Sequence, residues 1–323
     1  MRRITLTNQR PAWTLILLAC WFSLSACASA QNVNSEHTDH HAGASPAPSA
    51  SASVEDQEWA KARLAKSPRH QEWVKVKNGT REVSSFVVYP ETKSKATAVV
   101  VIHEIFGMSD WVQSLTDQLA EAGYVAIAPD LLSGVGPGGG GTNSITDRNA
   151  IGKAIRDLPP DQITGDLNAV ADYVAKLPAA NGKVVVAGFC WGGGQTFRYA
   201  TNNQNVKAAF VFYGPAPENK DDLARIKAPV YGFYAGNDAR INATLPKTIE
   251  LMKETGKVFD PVTYEGAGHG FMRAGDAPSP PQPELDTDLK THDEAQKALT
   301  DYKANKKARD EAWVRWKTIL AKI

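Results

Sequence analysis

"VVVAGFCWGGGQTFRYA", residues 184–200, holds the sharpest change of character in the chain. A β-branched apolar run passes straight into glycines, with Cys190 at the corner. The pattern Gly188-Phe189-Cys190-Trp191-Gly192 fits a sharp strand-to-helix turn, in which glycines two positions before and after the central residue let strand and helix approach without side-chain clashes. The central thiol would then project alone above a sheet. It would also sit at a helix N-terminus, where the backbone dipole favours a thiolate. The bland alternative is a buried structural cysteine, and the flanking chain has to decide between the two.

Working outward, short β-branched runs recur at 82–89, 97–103, 124–130, 183–189, 207–213, 229–236 and 261–266. Between most of them lie segments with apolar residues three or four apart, such as "DQITGDLNAVADYVAKL" at 161–177. Strands that are apolar on both faces and separated by helices predict an α/β fold, with a mostly parallel central sheet and helices on both faces. From His292 to Ile323 the apolar stripe of Leu299, Tyr302, Trp313, Trp316, Leu320 and Ile323 predicts a C-terminal helix packed on that sheet. Residues 131–162 interrupt the rhythm with "GVGPGGGG"; they read either as a flap over a site or as a disordered excursion.

With a nucleophile at such a corner, an acid and then a histidine are expected on loops after later strands. Asp238 follows the run at 229–236, and His269 follows the run at 261–266. Separately, Asp238 could be only a helix N-cap and His269 only a loop histidine. Together with Cys190 they have the order and strand context of a catalytic triad, in which His269 takes the thiol proton and Asp238 orients the imidazole.

Composition narrows the function classes. The chain has 323 residues, 42% hydrophobic and 22% charged, with a net charge of +1 and no basic block, so nucleic acid is not an expected partner. "MRRITLTNQR", an apolar run and small residues have the layout of an export signal. The apolar run is shorter than the ~18 residues a spanning helix needs, and cleavage is expected. Leu24-Ser25-Ala26-Cys27 resembles a bacterial lipobox, giving a signal over 1–26 and lipidation at Cys27; cleavage after Ala30 is the alternative. Residues 27–69 read as a Ser/Ala/Pro-rich tether and leading segment, and 70–323 as the folded domain. The protein is thus expected to be exported, periplasmic or membrane-anchored. Cys20 leaves with the signal and Cys27 is lost or acylated, so Cys190 stands alone in an oxidising compartment.

At "VVVIHEIFGM", "GYVAIAPDLLSG", "VVVAGFCWGGG", "YAGNDAR" and "YEGAGHGFMR" the chain closely resembles the dienelactone hydrolase (carboxymethylenebutenolidase-like) family of the α/β-hydrolase superfamily, over roughly residues 80–275. The resemblance implies the α/β-hydrolase fold and a triad of Cys190, Asp238 and His269. It further implies that Glu104 holds the resting thiol until substrate displaces it, and that the backbone amides of Ile105 and Trp191 form the oxyanion hole. Family members that act on dienelactone hold its carboxylate with two arginines. Arg273 matches one, while Gly134 stands where the other would lie; Arg148 could compensate.

The expected function is therefore hydrolysis of a small ester, lactone or enol-lactone through a thioester acyl-enzyme. A broad carboxylesterase or thioesterase with the same triad, or a non-catalytic ligand-binding lipoprotein, are the alternatives. No metal or organic cofactor is expected, and the only partners expected are a small-molecule ester or lactone and a membrane reached through lipidated Cys27. The protein is expected to act as a monomer.

Overall fold

The computed structural model describes residues 58–275, 277–280 and 289–323. The predicted signal, Cys27 and most of the tether lie outside them. Among the described residues eight strands form one sheet in the order β1-β2-β4-β3-β5-β6-β7-β8. They are β1 (Gln71–Asn78), β2 (Arg81–Val88), β3 (Ala96–Ile102), β4 (Val125–Pro129), β5 (Ala180–Phe189), β6 (Ala209–Phe212), β7 (Val230–Ala235) and β8 (Phe259–Tyr264). β1 and β2 are antiparallel to each other, β2 is antiparallel to β4, and every later pairing is parallel. This is the α/β-hydrolase fold expected from the sequence.

The two faces of the sheet bury separate cores because side chains alternate along each strand. On β3, Ala98, Val100 and Ile102 face one core, while Val99 and Val101 face the other. The first core is closed by α3 (Arg148–Arg156), α4 (Pro160–Ala175), α5 (Trp191–Asn202), α6 (Lys220–Ala224), α7 (Ala239–Asn242) and α8 (Leu245–Glu254). The second is closed by α1 (Glu58–Lys66), α2 (Asp110–Glu121) and α9 (Leu289–Leu320).

Two elements differ from expectation. β1 carries Trp73 and Val76 among charged residues, so its apolar signal is thin; it is an edge strand held by its full register against β2. Helix α1 falls inside 27–69, and it packs on α2 through buried Ala60 and an Arg63–Glu121 ion pair.

The glycine-rich segment at 131–162 is not a disordered excursion. Asp130, at the end of β4, accepts hydrogen bonds from Leu132 N, Thr142 N and Thr142 Oγ1 at 3.1, 2.7 and 2.7 Å. Thr142 Oγ1 also accepts from Met108 N at 3.1 Å. One buried carboxylate thus closes the loop onto the turn after β3, and α3 follows directly.

Candidate active site

The catalytic candidates all sit at the C-terminal edge of the parallel strands, where loops leave the sheet. Cys190 joins β5 to α5 with φ 56° and ψ −118°, a left-handed conformation that an L-residue adopts only under strain. Its flanking glycines are required by space. A Cβ on Gly188 would lie 2.2 Å from Gly192 O, and one on Gly192 would lie 2.3 Å from His103 O. The turn can be this tight only without side chains at both positions.

Asp238 and His269 lie past β7 and β8, as the chain order predicts. Asp238 Oδ2 is 2.5 Å from His269 Nδ1, and Cys190 lies within electrostatic reach of the imidazole. Asp238 is also the N-cap of α7, accepting from Ile241 N at 3.3 Å, so one carboxylate both caps the helix and meets His269. Burial opposes a charge on His269, but the bond to Asp238 and the electrostatic pull of Cys190 outweigh it and raise the imidazole to about 9. On the other side of the pair, burial raises Asp238, yet the bond to His269 prevails and the carboxyl lies below its ordinary value.

Glu104 departs from the expectation that it holds the thiol. Its buried carboxylate lies 3.2 Å from Arg273 Nε and 3.5 Å from the Tyr213 hydroxyl, and no hydrogen bond joins it to Cys190 among the described residues. The fixed guanidinium is the stronger partner for a buried carboxylate. Arg273 is consequently a largely buried ion-pair partner, not a free arginine at the mouth of the site. Arg148, the first residue of α3, places its guanidinium 3.9 Å from the Phe106 ring centroid, and that of Arg273 is 5.6 Å from the same ring. The backbone at Gly134 has φ +75°, so an arginine there would be strained.

Ile105 lies in the turn after β3, closed by a Gly107 N–H bond to Glu104 O at 3.1 Å. Trp191 is the first residue of α5, whose opening N–H groups have no partner within the helix. The two segments meet where the Gly192 Cα packs against the Ile102 and His103 carbonyls.

Sequence reading missed Tyr213 and Asn305. Tyr213 follows β6 with φ 39°, is fully buried, and sets its ring 5.0 Å from that of His269. Burial and the adjacent Glu104 charge push its phenol well above the usual value, so it stays a donor. Asn305, on α9, accepts from Gly268 N at 2.7 Å, next to His269. Neither residue carries a motif; the non-glycine positive φ at Tyr213 is visible only in three dimensions.

The model of the dienelactone hydrolase family matches residues 83–323. The chain belongs to that family. The relatives include a "Putative carboxymethylenebutenolidase" of Methylorubrum extorquens, 31% identical and aligned over 58% of this chain and 68% of that protein. A "Carboxymethylenebutenolidase" of Pseudomonas putida is 28% identical over 56% of this chain and 77% of its own. Among solved structures, a "Putative Dienelactone Hydrolase" from Klebsiella pneumoniae superposes with a TM-score of 0.57 at 24% identity, covering 72% of this chain and 98% of that one, which supports the fold. As a dienelactone hydrolase family member, the chain is a hydrolase.

Proposed function

We propose that the protein hydrolyses a small ester, lactone or enol-lactone with Cys190 as nucleophile. The observation that carries this reading is the Asp238–His269 hydrogen bond set beside Cys190, whose thiol stands on a strained corner. With the imidazole raised to about 9, the thiol proton already rests on His269, and Sγ attacks the carbonyl carbon. The oxyanion forms against the amides of Ile105 and Trp191, and collapses by expelling the alkoxide or enolate, which leaves with the proton held by His269. Water then attacks the thioester, gives its proton to His269, and releases the acid as the thiol is restored. Asp238 holds the imidazole in the required tautomer and stabilises its charged form.

The Glu104–Arg273 pair and the left-handed Gly134 favour neutral substrates over carboxylate-bearing ones, because the matching arginine is already neutralised and its second partner is missing. That supports the broad carboxylesterase or thioesterase reading for the natural substrate. Export, with lipidation at Cys27, completes the reading; mass spectrometry of the mature N-terminus tests it, and a start at Gln31 would refute the anchor.

The deciding experiment compares dienelactone and p-nitrophenyl acetate hydrolysis by the full chain and by Cys190→Ala. Wild-type turnover of the neutral ester is expected, with none by Cys190→Ala and an unchanged circular dichroism spectrum. Turnover surviving in Cys190→Ala would remove the nucleophile. Silence of the wild type on both substrates, with a thiol inert to iodoacetamide, would favour a ligand-holding shell.

A further inference from the structure

His103 belongs neither to the triad nor to the expected oxyanion hole, yet it touches the segments that carry both amides of that hole. The ring is fully buried at the end of β3. Leu131 N lies 3.3 Å from its Nε2 and donates to it, which fixes the tautomer, because Nε2 must be the unprotonated nitrogen. Nδ1 then carries the proton and donates to Glu104 O at 2.8 Å. Burial holds the imidazole below the ordinary histidine range, in keeping with a neutral ring.

The consequence follows from peptide geometry. No cis peptide bond occurs among the described residues, so the Glu104 carbonyl and the Ile105 N–H point in opposite directions across one planar unit. A donor that fixes the carbonyl on one side fixes the amide on the other. Gly107 N–H also binds that carbonyl, at 3.1 Å, which leaves His103 to set the tilt of a peptide already held in its turn. One face of the imidazole stacks on Trp191, with centroids 5.5 Å apart and planes 14° apart. Its other anchor, Leu131, follows the Asp130 carboxylate that closes the loop onto Thr142.

We propose that His103 is a positioning residue that aims the Ile105 amide at the developing oxyanion and braces Trp191, the residue contributing the second amide. This rests on the reading of Ile105 and Trp191 as oxyanion donors. Such a residue acts only when negative charge appears on the substrate oxygen, so it should leave the reactivity of the thiol itself untouched.

The test uses that difference. Iodoacetamide alkylates Cys190 by displacement at carbon, needing the thiolate but no oxyanion hole, whereas p-nitrophenyl acetate needs both. In His103→Phe, which keeps a stacking ring but has no donor, kcat/KM for the ester should fall by about 10- to 100-fold, below the loss expected for deleting a donor outright. The alkylation rate should stay at the wild-type value. His103→Gln, which offers an amide donor and an acceptor, should restore most of the ester activity. Should the Phe chain fail to fold, His103→Met carries the same expectation, since its sulfur can accept weakly from Leu131 but cannot donate.

Unchanged kcat/KM in the donor-less variant would overturn the proposal, as would ester and alkylation rates falling in parallel or equal losses in the Gln and Phe variants. Cys190→Ala run alongside separates the two failures. If it is inactive while His103→Phe keeps the wild-type rate, only the role of His103 is lost; if it stays active, the nucleophile itself was misassigned.

Discussion

At Cys190 the chain accepts a backbone strain of roughly 1–3 kcal/mol to stand one sulfur clear of the sheet. The histidine facing it has the opposite effect on stability at neutral pH. Its imidazole is raised to about 9 in the folded state, against an ordinary value of 6.5. A raised histidine stabilises the folded state fully below its unfolded value, and that contribution is lost as pH rises through about 9. Its size is at most about 3 kcal/mol, shared with Asp238, which reports the same pair from its other end. Denaturant unfolding of wild type should therefore show a stability loss between pH 7 and 10 that His269→Gln lacks. Parallel profiles for the two proteins would remove the imidazolium from the folded resting state.

The elements around the site differ in how plainly the sequence announced them. The buried parallel strands were legible because β-branched runs flanked by glycine or proline have few other uses. β1 was not, since an edge strand half in water mixes charge with its apolar residues. The segment at 131–162 misled for another reason: its glycines permit many conformations, and only a distant carboxylate, Asp130, selects one. Thr142→Val keeps the shape but removes the hydroxyl that bonds Asp130 and the acceptor that serves Met108 N. A loss of about 2–3 kcal/mol is expected, from one charge-assisted bond and one stranded amide. Limited proteolysis should then cut first between residues 131 and 147. Wild-type resistance there would show that the Asp130 clasp does not hold the loop.

On the scale of the whole molecule, the sheet lies between two cores, and α9 seals the aromatic one. Trp316 is fully buried, with ring centroids 4.9 Å from Phe212, 5.8 Å from Phe210 and 6.0 Å from Phe189, the residue before the nucleophile. Trp316→Ala should cost about 3–5 kcal/mol, read as a lower midpoint in guanidinium unfolding. α9 also reaches the site directly, since Asn305 holds the Gly268 amide beside His269. A variant at Trp316 should thus lower the ester hydrolysis rate at temperatures well below its unfolding midpoint. An unchanged rate there would mean that the helix supports stability alone.

The sequence by itself determined the layered α/β architecture, the corner at Cys190 and the order in which Asp238 and His269 follow it. Those features are written in local periodicity, in glycines whose missing side chains a tight turn demands, and in chain order relative to strands. Only the tertiary structure decided that Glu104 binds Arg273 and not the thiol, that Tyr213 closes over His269, and that Arg148 lies on Phe106. Each of these is a contact between residues tens of positions apart or more. Which partner a buried charge or ring takes depends on distance and competing donors in space, which local sequence does not encode.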